Sequence, residues 1–440
     1  MPGCLACVPS DDAGGGRHTD CPLQSKREPT RLVGIHRCWF DPQEIALTHC
    51  TAKDTTPLRC PQAPRHGVLL LIGASLLAAP ALAQAPAASP KVTIEVVAKG
   101  LQNAWAVAFI GDGRMLVTER PGRMRVVQAN GQLSEPLAGV PEVDAVGQGG
   151  LLDLITDRGF ASNRRVHFCY SEPGLGGNST ALATARLSAD ASRLEEVKVI
   201  FSQKPKVSSR LHFGCRIVQA ADNSLFLTLG DRYQRMKDAQ TLDNHHGKVV
   251  RVQLDGTPHP SNPFLNRSGA LPEIWSFGHR NLQGAALGPD GSLWTHEHGP
   301  QGGDEVNRAE AGKNYGWPVI TYGENYGGGA IGNGITEKAG LEQPLYHWTP
   351  SIAPSGMAFV TTDMYGPGWQ GSLLVGSLKF RYLARLQVDG ARVVKEDKLL
   401  TSLGQRVRDV REGPDGFIYL LTDARDGELL RLRPATGAAS

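Results

Sequence analysis

The run Trp294-Thr-His-Glu-His-Gly-Pro-Gln-Gly-Gly-Asp-Glu305 concentrates carboxylates, imidazoles and chain-bending glycines, with Gly278-His-Arg-Asn-Leu-Gln-Gly284 before it and Asn314-Tyr-Gly-Trp-Pro318 after it. Crowding of this kind is the composition of a polar site rather than of a scaffold. Imidazoles exchange protons near neutral pH. Carboxylates, together with backbone carbonyls exposed where glycine and proline bend the chain, are oxygen ligands of the kind calcium takes. His296 and His298, at alternate positions, could instead chelate zinc or iron with Asp304 as third ligand. Gly299 and Pro300, immediately after them, favour the oxygen reading.

A second constellation is basic. Ser377-Leu-Lys379 and Arg406-Val-Arg408 each place polar side chains at i and i+2, hence on one strand face. Turned toward a common space, Lys379, Arg406 and Arg408 form a cationic cup, and guanidinium groups bind carboxylates through paired, charge-assisted hydrogen bonds. Turned outward, they are solvated strand charges. His212, in Leu211-His-Phe-Gly-Cys-Arg216, is a general-base candidate or a structural histidine ahead of a strand. The turn Gly147-Gln-Gly-Gly150 reads on its own as a simple loop, and His245-His246 as a loop pair without a catalytic role. No Gly-x-Ser-x-Gly elbow occurs, which disfavours a serine hydrolase. Gly-x-Gly-x-x-Gly occurs at Gly327 to Gly332 and at Gly366 to Gly371, but in no strand–helix–strand context, so nicotinamide binding gains no support.

The elements that must position these groups are legible as a repeat. Turn residues followed by a short apolar strand recur at Gly111–Glu119, Ser162–Tyr170, Ala221–Gly230, Gly288–His296, Pro367–Gly376 and Gly413–Asp423. Most are followed by a second β-rich run, as at Met124–Val127 and Leu429–Leu432. Long stretches of 3.6-residue apolar periodicity are missing, which disfavours α/β folds and helical solenoids. The fold class is therefore all-β, a six-bladed β-propeller of four-stranded blades over residues 99–434. Radial closure brings polar residues distant in sequence to one axial pocket.

The N-terminal part reads differently. Arg65, the apolar run Val68–Ala79, Pro80 and the small-x-small site Ala81-Leu-Ala83 form a secretory signal peptide over 65–83, too short to span a bilayer. Export to a periplasm or the exterior follows, with residues 84–98 as a flexible mature terminus. Residues 1–64 hold six of the eight cysteines without apolar periodicity, and read as a start placed too early or a disordered extension. The mature chain keeps Cys169 and Cys215, which either pair or pack as small hydrophobes. Lys and Arg number 46 against 43 Asp and Glu, a near balance without basic clusters that argues against nucleic acid or anionic membrane as partner.

Leu211–Arg216, Gly230-Asp231, Gly278–Gly284, His296–Pro300, Asp304-Glu-Val-Asn307 and Asn314–Pro318 together resemble the soluble quinoprotein glucose/sorbosone dehydrogenase family, closest to its periplasmic aldose sugar dehydrogenases, from about Leu101 to Leu432. The resemblance implies a six-bladed propeller that binds pyrroloquinoline quinone (PQQ) and calcium and oxidises the C1 hydroxyl of aldoses to lactones. It implies His212 as general base, and Arg280 as a group that both contacts the quinone and stabilises developing charge. Gln148, Asn281, Tyr326, Ser377, Leu378, Lys379, Arg406, Val407 and Arg408 fall on quinone-binding positions. The carbonyls of Gly299 and Pro300 fall on the site of a quinone-bridging calcium, and Glu305 and Tyr315, the latter through its backbone oxygen, on that of a structural one. The chain departs from the pattern at Leu211, where the family's glucose enzymes carry an acid, and at His298, where members carry glutamine.

The expected partners are a small aldose and a separate electron acceptor, with no stable membrane insertion; the preferred aldose and the oligomeric state are not encoded in these motifs. Two other classes share the fold: a calcium-dependent sugar lactonase, active without quinone, and a non-catalytic binding propeller with a broken site. The presence of His212, Arg280, Lys379, Arg406 and Arg408 favours the dehydrogenase.

Overall fold

Each tight turn followed by an apolar strand reverses the chain and buries one strand, and in the computed structural model all six repeats become the second strand of six separate antiparallel sheets. The structure describes residues 92–435. The extension at 1–64, the leader at 65–83 and residues 84–91 lie outside the described residues.

From the inner strand outward, blade 1 comprises β2 (Ala104–Gly111), β3 (Arg114–Glu119) and β4 (Arg123–Val127). Blade 2 is β5 (Leu151–Thr156), β6 (Arg165–Gly174), β7 (Gly177–Leu187) and β8 (Leu194–Ser202). Blade 3 is β9 (Ile217–Gln219), β10 (Leu225–Leu229), β11 (Lys248–Val252) and β12 (Ile274–Phe277). Blade 4 is β13 (Leu282–Leu287), β14 (Leu293–Glu297), β15 (Asp304–Arg308) and β16 (Tyr346–Trp348). Blade 5 is β17 (Pro354–Phe359), β18 (Leu373–Ser377), β19 (Leu383–Asp389) and β20 (Arg392–Leu399). Blade 6 is β21 (Val407–Glu412), β22 (Ile418–Thr422), β23 (Gly427–Pro434) and, from the other end of the chain, β1 (Val92–Leu101). The inner strands β2, β5, β9, β13, β17 and β21 pack in a closed ring. Among the described residues the helical elements are the single turn Phe160–Asn163 and the 3-10 turn Met236–Gln240, and no helix is long and apolar enough to cross a membrane.

Two details correct the sequence reading. Residues 92–98, expected in a flexible terminus, form most of β1, which pairs with β23 from Val92↔Pro434 to Leu101↔Gly427. That pairing covers the outer edge of β23 and ties the two ends of the described chain into one blade. Glu95 fastens it, accepting from Arg431 Nη2 at 2.8 Å and from Arg433 Nε. Blade 1 has three strands where four were expected. After β4 the chain stays alongside, Leu133 bridging Val127 and the N–H groups of Ser134 and Leu137 donating to the Val126 and Met124 carbonyls at 2.8 Å, but these isolated contacts around Pro136, which has no N–H to give, do not make a fourth strand.

Apolar side chains from both faces of each blade fill the wedges between neighbours, the largest cluster running through blades 1, 2 and 3. Around the axis the packing is ionic instead. Arg216, fully buried, donates from Nη1 to Asp153 Oδ1 at 3.0 Å and meets Asp409 Oδ1 at 2.8 Å, while Arg411 reaches Asp409 Oδ2 at 3.1 Å. Backbone N–H groups of Ile217 and Val107 complete the two carboxylates. Strands from four blades thus share one charge-neutral plug, with each buried charge paired as low dielectric requires.

Candidate active site

Above this plug lies a cavity of about 720 Å³, lined by strand residues of blades 1, 4 and 6 and by the loops at one end of the ring. Trp105 forms part of its wall, and the Arg216 guanidinium stacks on its ring at 4.2 Å. Five cationic side chains, Arg120, Lys379, Arg381, Arg406 and Arg408, line the cavity against one carboxylate, Asp423. Lys379, Arg406 and Arg408 thus share one space rather than the outer rim.

The strand-face argument for these residues holds in part. Arg406 and Arg408 bracket the start of β21, and both reach Asp423, Nη2 to Oδ2, at 2.9 and 3.1 Å across the β21–β22 hairpin. Burial pushes the Asp423 carboxyl up, but Arg408 and Arg406 outweigh it and hold the group down at about 2. Arg408 Nε is buried without a hydrogen-bond partner, an orphaned donor suited to an anionic ligand. Ser377 and Lys379, by contrast, do not share a strand face. Ser377 ends β18 with its hydroxyl donating to the Ile352 carbonyl at 2.9 Å, and the chain turns so that Leu378 and Lys379 reach the cavity. Val407 is buried behind the wall, its carbonyl accepting from Ser355 Oγ.

His212 is buried beside the cavity and does not itself line it: its backbone N–H is bonded to Gln148, and Gln148, Gly214 and Asn281 form the lining there. Its φ of +53° is left-handed, a conformation that costs on the order of 1–3 kcal/mol for such a residue and persists only where its surroundings dictate it. Three features do so. The His212 N–H donates to Gln148 Oε1 at 2.8 Å. A Cβ at Gly230 would stand 2.1 Å from the His212 carbonyl oxygen, so only glycine lets the chain before Asp231 come this close. Cys215, three residues on, is disulfide-bonded to Cys169 of β6. The turn that carries Gln148 is equally constrained, since Gly150 has φ +150° and a Cβ there would meet the Arg120 carbonyl at 2.2 Å.

Asp231 answers the question raised by Leu211. Its Oδ1 is 2.6 Å from His212 Nδ1 and accepts the Tyr233 N–H at 2.8 Å, while Oδ2 accepts Trp317 Nε1–H at 2.7 Å. Burial works against ionising Asp231, yet the bonds from His212 and its other donors hold it below the usual carboxylate range. An ionised acceptor at Nδ1 makes that nitrogen the protonated one and leaves Nε2 as the basic site; Nε2 has no hydrogen-bond partner among the described residues. Burial lowers the His212 pKa, with Asp231 opposing, so the imidazole is neutral at neutral pH.

Arg280 lines not the large cavity but a smaller space beside it. Its Nη1 donates to the carbonyls of His298 and Gly299 at 2.9 and 2.7 Å, and its guanidinium lies 5.2 Å from the Trp317 ring centroid. Pro300 is buried beside Gly299, whose N–H is held by Asp304 Oδ1 at 2.9 Å. A small adjoining cavity is lined by Arg280, Glu297, Gly299 and Glu305, with His298 shared between it and the large one. Glu297 and Glu305 face each other across the β14–β15 ladder. Burial, and then the charge of Glu297, raise the Glu305 pKa, a repulsion that a bound cation would relieve.

Among the described residues, no three His, Cys, Asp or Glu side chains are arranged to hold a metal. That removes the His296–His298–Asp304 chelate: Asp304 is spent on Ser351 Oγ and the N–H groups of Gly299, Ile352 and Ala353, and His298 on Pro354. A calcium ion would need a different donor set, such as the Glu305 carboxylate and carbonyl oxygens, which keep a second lone pair even where Arg280 occupies the first. Tyr315 is buried, its ring stacked on His279 at 4.6 Å and its hydroxyl accepting the Glu310 N–H at 2.9 Å.

Tyr326 stands apart from the gathered residues. It is 64% exposed on the loop between β15 and β16 and lines neither cavity, because Gly327, Gly328 and Gly329, all at positive φ, fold that loop tip back on Asn325. Asp231, Asp423, Trp105 and Arg120 carry positions in the site without having been assigned roles from sequence. Asp231 stood in a recognised motif, and Asp423 was findable as the hairpin partner of Arg406. His246, bonded to Asp238 at 2.8 Å and to the Pro205 carbonyl at 3.1 Å, and His245, 3.3 Å from Glu273, are buried structural groups of the β10–β11 loop.

The sequence profile described as Glucose / Sorbosone dehydrogenase matches residues 101–431. The chain is 45% identical over 370 residues to the aldose sugar dehydrogenase YliI of Escherichia coli K12, covering 83% of this chain and 97% of that one. It is similar to the crystal structure of the soluble aldose sugar dehydrogenase of E. coli in its apo form, with a TM-score of 0.75 at 46% identity over 78% of this chain and all of that one. A PQQ-bound aldose sugar dehydrogenase from Streptomyces coelicolor superposes with a TM-score of 0.64 at 26% identity, covering 78% and 99%.

Proposed function

The chain belongs to the glucose/sorbosone dehydrogenase family, and from that premise we propose that it is a PQQ- and calcium-dependent dehydrogenase that oxidises the C1 hydroxyl of aldoses to lactones. Its relatives support an oxidoreductase acting on sugars, and the quinone-bound relative supports PQQ as cofactor. The observation that carries the finer reading is the convergence of Lys379, Arg406 and Arg408 on one cavity that also reaches Gln148 and Asn281 beside His212. PQQ is a tricarboxylate, and this wall offers guanidinium and ammonium donors, one of them orphaned, where its charge would lie.

When bound, PQQ would supply the hydride acceptor, and a calcium held by the Gly299 and Pro300 carbonyls would supply Lewis-acid polarisation. The chain's own residues do the rest. His212 Nε2 accepts the C1 hydroxyl proton as the C1 hydride departs, so the sugar loses two electrons and two hydrogens in becoming the lactone. Asp231 holds the ring in register and stabilises the imidazolium until the proton passes to solvent. Arg280 lies near enough to the Gly299 carbonyl to add positive charge where negative charge develops. Glu305, with the backbone oxygen of Tyr315, would hold a second, structural calcium. The Cys169–Cys215 disulfide suits the oxidising compartment that a leader at 65–83 would deliver the chain to.

The test is to purify the full chain, add PQQ and calcium, and follow reduction of a redox dye with a panel of aldoses. Sugar-dependent dye reduction that requires both additions is the expected result. Cofactor binding without turnover on any sugar would favour a binding propeller, and lactone hydrolysis without quinone would favour a lactonase.

A further inference from the structure

His298 is half-buried in the wall that the large cavity shares with the small one beside Gly299. Its Nε2 lies 2.7 Å from the Pro354 carbonyl oxygen. A carbonyl can only accept, so Nε2 carries the proton and Nδ1 keeps its lone pair. Nδ1 has no hydrogen-bond partner among the described residues and is not among the buried polar atoms left without one, so it is accessible, on a side chain that lines the large cavity and the small one. Of the neighbouring side-chain acceptors, Asn281 Oδ1 already takes two donors, Gln283 Nε2 at 3.2 Å and the Gly214 N–H at 3.4 Å, and Gln148 Oε1 takes one, the His212 N–H.

We propose that His298 is a specificity-determining residue, whose Nδ1 accepts a hydrogen bond from a ring hydroxyl of the aldose other than the one at C1. This rests on the dehydrogenase reading above. The chemistry selects the sugar over the cofactor. PQQ presents carboxylates, carbonyls and ring nitrogens, nearly all acceptors, and the cationic wall of blades 5 and 6 answers them. An aldose carries a hydroxyl donor on almost every carbon, and a fixed lone pair is what reads one. His212 at C1 and His298 at a second hydroxyl give two points of attachment, enough to separate epimers that differ at the second. Glutamine at this place offers either a donor or an acceptor on a flexible stem. The imidazole, pinned by Pro354, offers only the acceptor.

The test uses the full chain loaded with PQQ and calcium, the parent aldose and its series of singly deoxygenated analogues, with wild type, His298→Phe and His298→Gln. A net hydrogen bond of this kind is worth roughly threefold to tenfold in kcat/KM. One deoxy sugar should fall by that factor with wild type. With His298→Phe the parent sugar should fall to meet it, so that discrimination at that carbon disappears while discrimination at other carbons stays. His298→Gln should keep part of it. PQQ affinity, read by titrating the cofactor's absorbance, and the thermal midpoint report on the cofactor and the fold separately. The proposal is overturned if the variants lose rate equally on every sugar, if the deoxy pattern is the same in all three proteins, or if the loss tracks PQQ affinity. A wild type that oxidises no aldose overturns the dehydrogenase reading itself and is told apart from these outcomes by that fact alone.

Discussion

Replacing Asp231 by Asn keeps the shape of the group beside His212 and changes only its hydrogen-bond character. In the native protein both oxygens accept, Oδ1 from His212 Nδ1 at 2.6 Å and the Tyr233 N–H, Oδ2 from Trp317 Nε1 at 2.7 Å. An asparagine has one acceptor oxygen. If that oxygen stays with His212 Nδ1–H and the Tyr233 N–H, its NH2 meets the Trp317 N–H and the imidazolium loses its anionic partner; if it turns to Trp317, the NH2 faces Nδ1 and the proton moves to Nε2, where the sugar hydroxyl should be received, so either orientation weakens the base. A positioned general base contributes about 10²–10⁴ in rate, so kcat should fall by that factor, about 2.7–5.4 kcal/mol at 1.36 kcal/mol per tenfold. The acid limb should move as well. The base acts deprotonated, so activity is present above its pKa; burial already lowers that pKa and Asp231 opposes the lowering. Loss of the carboxylate shifts the limb to still lower pH beneath a reduced plateau. Stopped-flow bleaching of the bound quinone by saturating aldose, measured across pH, reads both effects, while PQQ titration shows the cofactor site intact. An Asp231→Asn enzyme with native kcat and an unmoved acid limb would refute the assignment of His212 as base.

Arg408→Ala should weaken PQQ binding by about tenfold to a hundredfold, the range for losing a hydrogen bond to a charged group, with kcat at saturating cofactor much less affected; titration of apoprotein with PQQ measures it. Cys169→Ser with Cys215→Ser opens a loop of sequence separation 46, and chain entropy puts the destabilisation at about 4 kcal/mol; denaturant unfolding of native and variant proteins compares directly with that figure. Glu305 has a raised pKa in the folded protein, so its contribution to stability is present below the ordinary glutamate range and is lost as pH rises through the raised value. Calcium-stripped protein should therefore lose thermal stability on going from acid to neutral pH, calcium should restore it, and Glu305→Gln should flatten the pH dependence while weakening the calcium effect.

The six turn-plus-strand repeats were readable because hairpin chemistry is local: Gly, Asn and Asp at the reversal and apolar alternation after it are needed wherever the strand later packs. Each repeat accordingly became the second strand of a blade. The seam was not readable. Val92–Leu101 has no turn signal in front of it, and its partner strand β23 lies at the far end of the chain. The identities of His212, Arg280, Lys379, Arg406 and Arg408 were legible because a site needs particular residue types in particular motifs. Their company was not. Asp231 became the partner of His212 only through the left-handed turn at 212 and the close approach that Gly230 permits, and Asp423 joined the cup only through the β21–β22 ladder. Tyr326, legible as a motif residue, is carried away from the cavity by its loop. Residue type and short-range spacing are properties of the chain, so the sequence by itself determined the blade count and the chemical vocabulary of the site. Which charge faces which, and which nitrogen of an imidazole is free, depend on distances between blades, and only the closed ring decided them.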